Sequence, residues 1–187
     1  EDTAQVTLTV RKWAEKKLYY ANRSFYLVPG DKISLIAKDT ADRNIFQHAV
    51  VKGGKLAAQE AALEAVLREN TVKLDSFRAE NGRLMMQLQS GEAKLDTAAM
   101  VARGKKGDVL YKEKAAIRNQ FIDAHPDYYI SLVTFREMLG RRVADVEAAE
   151  ERFNRFTPAL RTSSVGQAIT TLLNESAKLA VNHPAPD

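Results

Sequence analysis

The chain has 187 residues, of which 45% are hydrophobic and 28% charged, as in a folded protein and unlike a disordered one. It contains no cysteine, which excludes thiol nucleophiles, disulfides, iron–sulfur clusters and cysteine-ligated zinc within these residues. The net charge of +4 is spread along the chain with its signs interleaved, and the densest basic group is only Arg103, Lys105 and Lys106. Nucleic-acid-binding proteins gather Lys and Arg on one face, so we expect no nucleic-acid partner. No apolar run approaches the ~20 residues that span a bilayer, so we expect no transmembrane segment.

Residues 1–54 have the period-two pattern of β-strands. Val6, Leu8 and Val10 alternate with threonines, and a similar alternation runs through residues 33–38. Pro29–Gly30 supplies a turn between these segments. A last strand is expected from Ile45 to Val51, ending at two glycines. The pattern predicts a small, mostly antiparallel β-sheet.

Residues 55–181 have a helical pattern instead, because Ala, Glu, Leu, Lys and Arg dominate after Lys55 and no proline occurs between Pro29 and Pro126. A heptad-like seam runs through this region, with alternating spacings of four and three: Leu63, Leu67, Asn70, Leu74, Phe77, Asn81, Leu84 and Leu88. One interpretation is a long amphipathic helix packed on its own domain, and the other is a dimeric coiled coil. Glycines are expected to break or kink these helices: Gly82 and Gly91 in the first, Gly104 and Gly107 early in the second.

The last third is punctuated by helix-ending and helix-capping residues. His125–Pro126 is expected to stop the second helix, with Asp127 capping the next one, which ends at Gly140. Another helix is expected over 144–156, and a last one from Ser163 or Ser164. Residues 182–187 are predicted to be an extended connector. The fold class is therefore α+β, with a β-sheet region over 1–54 and an all-helical region with long amphipathic helices over 55–181.

No catalytic, cofactor-binding or metal-binding constellation is found in the sequence. None of the three histidines has a second ligand at helical spacing, and no phosphate-binding loop or nucleophile elbow occurs. Glu60 and Glu64 lie amid Lys and Arg at the spacing of a solvated helix face. A possible interaction surface consists of four aromatic residues in the β region: Trp13, Tyr19, Tyr20 and Tyr26.

Several segments, taken in order, resemble a known family. Phe-Tyr-Leu-Val-Pro-Gly-Asp at 25–31, followed by a strand and by Val-Lys-Gly-Gly-Lys-Leu at 51–56, resembles a domain that precedes a thioredoxin-like domain in many bacterial envelope proteins. These belong to the alkyl hydroperoxide reductase/thiol-specific antioxidant and TlpA/ResA-like group. The similarity continues in Phe-Ile-Asp-Ala-His-Pro-Asp at 121–127, although Tyr128 stands where the family often has serine. It extends through residues 153–163 and Pro-Ala-Pro-Asp at 184–187, which looks like the start of the thioredoxin-like domain.

The resemblance implies a non-catalytic N-terminal domain of an envelope thiol–disulfide oxidoreductase, located in the periplasm or cell envelope. Its partners would be its own C-terminal thioredoxin-like domain and either a substrate protein or a second copy of itself. It also implies further strands before Val6 and a redox domain after Asp187, so the longer protein would be a reductase or a peroxiredoxin-like enzyme while this chain alone would be inactive.

Two other functions remain open at this point. The chain could be an independent module that binds a peptide or a glycan at its tyrosines. A self-sufficient hydrolase is the third possibility, and it lacks a recognisable nucleophile–base pair. The sequence beyond Asp187 would distinguish these functions.

Overall fold

The β region forms two separate two-stranded antiparallel sheets in the computed structural model, which describes residues 3–14, 17–37, 49–92, 94 and 96–181. Strands β1 (Ala4–Ala14) and β2 (Lys17–Leu27) form a long hairpin, and β3 (Ser34–Ile36) pairs with β4 (Val50–Lys52). The predicted single sheet is therefore divided in two, while the α+β class is confirmed. Most of the strand predicted from Ile45 to Val51, like the connector over 182–187, lies outside the described residues.

The two motifs at 25–31 and 51–56 meet in space and connect the β region to the first helix. Pro29–Gly30 forms the expected turn, with Gly30 at φ 85° and the Asp31 N–H bonded to the Val28 carbonyl at 3.0 Å. The Asp31 carboxylate accepts hydrogen bonds from the backbone N–H of Val28 at 3.0 Å and of Lys55 at 3.2 Å. Gly53 lies against the Lys32 backbone so closely that a Cβ would be 2.2 Å from that carbonyl oxygen. Asp31 and Gly53 thus fix the position at which the helical region begins.

All described residues after β4 that have regular structure are helical, as predicted. The six helices are α1 (Ala57–Ser90), α2 (Thr97–Ala124), α3 (Tyr129–Leu139), α4 (Val146–Phe153), α5 (Pro158–Thr162) and α6 (Ser164–Val181). At 1.5 Å per residue, α1 is about 50 Å long. The predicted stops at His125–Pro126 and Gly140 are confirmed, and Ser163 caps α6 by accepting the Gly166 N–H at 3.2 Å.

Helices α1 and α2 form an antiparallel pair along the predicted seam. Leu74 and Phe77 of α1 are buried against Leu110 of α2, and the buried Asn70 amide donates to the Leu110 carbonyl at 3.1 Å. Of the six apolar seam residues, Leu67, Leu74 and Phe77 are buried and the other three are half-buried. The structure therefore favours the packed amphipathic helix over the dimeric coiled coil.

Most of the predicted glycine interruptions and the predicted cap of α3 are wrong. Helix α1 ends at Ser90 with Gly91 as its C-cap, which confirms the break predicted at Gly91. However, α1 continues through Gly82, and α2 continues through Gly104 and Gly107. Gly107 is instead a packing position, because it faces the Phe77 ring. Asp127 does not cap α3, whose N-cap is Tyr128 without a side-chain bond. The Ile130 N–H is satisfied by the Gln59 side chain of α1 at 3.2 Å, a partner that local sequence does not reveal.

The largest hydrophobic core lies among α2, α3, α4 and α6. Leu132 of α3 and Ile169 of α6 are completely buried at its centre. A second cluster, formed by Leu56, Tyr129, Ile130 and Val133, packs against Tyr26 and other apolar residues. This second cluster attaches the end of the β-hairpin to α3.

Candidate binding cleft

The end of the β-hairpin and three helices enclose a cleft with a volume of ≈ 180 Å³. Its apolar lining comes from Leu63 of α1 and from Ile130 and Val133 of α3. Tyr26 of β2 also lines the cleft, and its ring packs edge-on against Tyr129 with 6.0 Å between the ring centroids. The remaining lining is mainly charged. We call this site the hairpin–helix cleft.

Two ion pairs lie in the hairpin–helix cleft. Arg23 of β2 donates a hydrogen bond to Glu64 of α1 at 3.1 Å, and Arg118 of α2 forms an ion pair with Glu137 of α3, with 3.2 Å between nitrogen and oxygen. The arginine side chains are mostly buried, with 19% and 25% exposed, whereas Glu64 and Glu137 are 66% and 51% exposed. Solvent screening limits such pairs to about 0–1 kcal/mol each. Their main effect is to fix two guanidinium groups beside their own carboxylates.

Glu60 of α1 is the third carboxylate of the cleft, and it is half-buried. Within the part of the chain that the structure describes, no Lys or Arg nitrogen lies within 4.0 Å of its carboxylate. Burial raises the pKa of Glu60, and nearby Glu64 raises it further, while the backbone N–H of Tyr26 and the Arg23 charge oppose that shift. Glu60 therefore brings negative charge into the cleft without an ion-pair partner.

Tyr26 stays protonated over the physiological pH range. Burial raises the pKa of its phenol, and the neighbouring Glu137, Tyr129 and Glu60 raise it further. A neutral phenol can both donate and accept a hydrogen bond, and its ring presents an electron-rich face. Tyr26 thus combines an apolar surface with a polar group at the side of the cleft.

The four residues of the predicted aromatic surface are placed differently along the hairpin. In the backbone register Trp13 pairs with Leu18, Tyr19 with Lys12 and Tyr20 with Arg11. The side chains of Trp13, Tyr19 and Tyr20 lie outside the description. Tyr20 and Tyr26 are six positions apart along the extended strand, a distance of about 20 Å. Tyr26 is the member that the structure places in a cleft, and a surface formed by all four residues stays a prediction.

Glu60 is a residue of the site that the sequence pattern does not predict. The pattern assigns Glu60 and Glu64 together to a solvated face, but only Glu64 is largely exposed. A signal was present, because Glu60 continues the seam backwards at the spacing of Leu63 and Leu67 and therefore lies on the buried face of α1. Arg118 and Glu137 carried no such signal, since their role depends on the packing of α2 against α3.

Several other polar groups in the described residues have structural roles. The Ser163 hydroxyl donates to the Leu160 carbonyl at 2.6 Å, in the geometry of a helix cap. The His125 ring stacks on Tyr128 with 4.4 Å between centroids. A smaller cavity of ≈ 100 Å³ beside Ile122 contains Arg152, which is already paired with Asp123 at 2.9 Å. No cluster of three or more potential metal ligands occurs among the described residues.

No protein-family model, curated protein or solved structure matches this chain. The resemblance to the thioredoxin-like envelope proteins therefore rests on the sequence motifs alone. Among the described helices, none combines the length and the apolar character required to cross a membrane.

Proposed function

We propose that this chain is a non-catalytic domain of a bacterial envelope thiol–disulfide oxidoreductase. In this proposal it positions a thioredoxin-like domain, or mediates association with a substrate protein or with a second copy of itself. The chain would accordingly work in the periplasm or cell envelope.

The observation that carries this proposal is the structural position of the family-like motifs. The turn at 29–31 and the two glycines at 53–54 meet at one joint, although they are more than twenty residues apart in sequence. Phe121 and Ile122 of the third motif are buried, and Ser163 of the fourth caps α6. If this chain and the family share a fold, their common motifs are expected at such turns, helix caps and buried positions. Because the motifs describe the fold, function is inferred from them by analogy.

The absence of cysteine is consistent with a non-catalytic role. Thiol–disulfide exchange requires a thiolate that attacks a disulfide sulfur. The chemistry of such a protein would therefore have to reside in another domain.

Reductase assays of two proteins test this proposal. One is the present chain, and the other is the gene product extended through the coding sequence after Asp187, each assayed with insulin as the disulfide substrate. We expect no activity from the present chain and measurable turnover from the longer protein. A matched variant of the longer protein, with its cysteines replaced by serine, should be inactive. An extended protein that has no cysteine and no reductase activity would contradict the proposal.

The hairpin–helix cleft favours a second candidate function, an independent peptide- or glycan-binding module. Its apolar lining with a few fixed polar groups is typical of binding sites. The same assays separate the two functions, because a module of this kind requires no downstream redox domain.

A further inference from the structure

We propose that the hairpin–helix cleft binds a lysine or arginine side chain of a partner polypeptide, with Glu60 accepting its positive charge. This inference goes beyond the proposed function and does not depend on a redox domain.

The balance of charge in the cleft determines the sign of the ligand. Three carboxylates and two guanidinium groups line it, and each guanidinium group is already paired with a carboxylate. Glu60 supplies the surplus negative charge. An anionic ligand would meet three carboxylates, whereas a cation would supply the partner that Glu60 lacks.

The partial burial of Glu60 supports a role in binding. Glu60 is partly removed from water, and the Tyr26 backbone N–H and the Arg23 charge compensate for this only in part, because its pKa is still raised. An incoming ammonium or guanidinium group would offset this cost through a charge-assisted hydrogen bond, which is stronger than one between neutral groups. The charge of Glu60 would therefore stabilise a complex with a cationic ligand, whereas it does not stabilise the isolated fold.

The size and lining of the cleft indicate a single extended side chain. Its ≈ 180 Å³ is below the ~300 Å³ at which pockets for cofactors and drug-sized ligands begin. Leu63 and Val133 offer apolar surface for a methylene stem, as long basic side chains require. Tyr26 and Glu60 line the same cleft, and the face of an aromatic ring attracts a cation. A basic side chain matches both the apolar lining and the surplus charge.

Titration of the ¹⁵N-labelled chain, followed by NMR, tests the proposal directly. The probes are the N-acetyl N-methylamides of lysine, arginine, norleucine and glutamate, together with n-butylamine. We expect the lysine and arginine probes to shift the amide signals of Tyr26 and Ile130 saturably. Norleucine, which has a similar stem without the charge, should bind at least about tenfold more weakly, and glutamate should not bind.

Two variants assign the interaction to Glu60. Glu60→Gln keeps the shape of the side chain and should weaken binding of the lysine probe about tenfold, because it removes the charge. Glu175→Gln, at an exposed position on α6, should leave binding unchanged. Equal binding of lysine and norleucine, or full binding by Glu60→Gln, would overturn the proposal. Butylamine, which is the lysine side chain without its backbone, should bind no more tightly than the lysine probe. Markedly tighter binding of butylamine would overturn the assignment to a polypeptide and indicate a free amine.

Discussion

The packing of α1 against α2 predicts different effects on stability for the same substitution at two positions. Gly104 and Gly107 both lie inside α2, three residues apart. A Cβ at Gly107 would be 2.9 Å from Cζ and 3.1 Å from Cε1 of Phe77, while a Cβ at Gly104 would have no atom outside its own helix within 4 Å. Gly104 therefore serves as a matched control for Gly107.

The expected changes in the free energy of unfolding follow from two terms. Alanine is more favourable than glycine inside a helix by about 1 kcal/mol, so Gly104→Ala should stabilise the protein by roughly that amount. Gly107→Ala has the same gain, but the new methyl group pushes on the buried Phe77 ring, and overpacking costs about 1–3 kcal/mol. We therefore expect Gly107→Ala to be neutral or to destabilise the protein by up to about 2 kcal/mol.

Urea denaturation followed by circular dichroism at 222 nm measures both changes. Phe77→Leu provides a further check, because a smaller side chain should relieve the clash and make Gly107→Ala less harmful in the double variant. Contacting residues of this kind show coupling of about 0.5–3 kcal/mol. Equal stabilisation by Gly104→Ala and Gly107→Ala, without coupling to Phe77, would show that the two helices do not pack as described.

Three further predictions concern α1. Leu74→Ala should lower the free energy of unfolding by about 2–5 kcal/mol, because it leaves a cavity at a side chain that is only 1% exposed. Val72→Ala, at a position that is 62% exposed, should change it by less than about 0.5 kcal/mol. Equal effects of the two substitutions in urea denaturation would refute this prediction. Asn70→Leu should raise the free energy of unfolding by about 1 kcal/mol in the same assay, because it removes a buried Oδ1 that lacks a hydrogen-bond partner. A large loss of stability would contradict this and show that the hydrogen bond from Asn70 to the Leu110 carbonyl dominates. The raised pKa of Glu60 means that the folded state binds its proton more tightly than the unfolded state, so its contribution to stability falls as pH rises from about 4.5 through the folded pKa. Glu60→Gln should therefore have a higher Tm than the parent protein at pH 7 and lose that advantage below about pH 4.5, and a pH-independent difference would contradict this.

The sequence predicts the elements whose signals are local. The change from period two to a helical period at Gly53–Gly54 locates the boundary between the β and helical regions, and His125–Pro126 and Gly140 locate helix ends. The heptad-like spacing identifies the buried face of α1 because that face has to be covered by apolar contact. These features depend on neighbouring residues and on a single periodicity.

Features that depend on contacts distant in sequence are not predicted. The side chain that accepts the Ile130 N–H in the first turn of α3 belongs to Gln59, 71 residues earlier, and not to the nearby Asp127. In the sequence Gly107 looks like a helix breaker, and only the contact with Phe77 of α1 shows that it is a packing position. The hairpin–helix cleft likewise requires β2, α1, α2 and α3 to assemble before Glu60 can be distinguished from Glu64.

The coding sequence that follows the Asp187 codon tests the central claim most directly. If this chain is the non-catalytic domain of an envelope thiol–disulfide oxidoreductase, the longer reading frame should contain Cys-x-x-Cys, or a single reactive cysteine, where a strand meets a helix. A helix N-terminus at that position would lower the thiol pKa and make the cysteine reactive at neutral pH. A stop codon directly after Asp187, or a following domain without cysteine, would contradict the claim and favour the binding module.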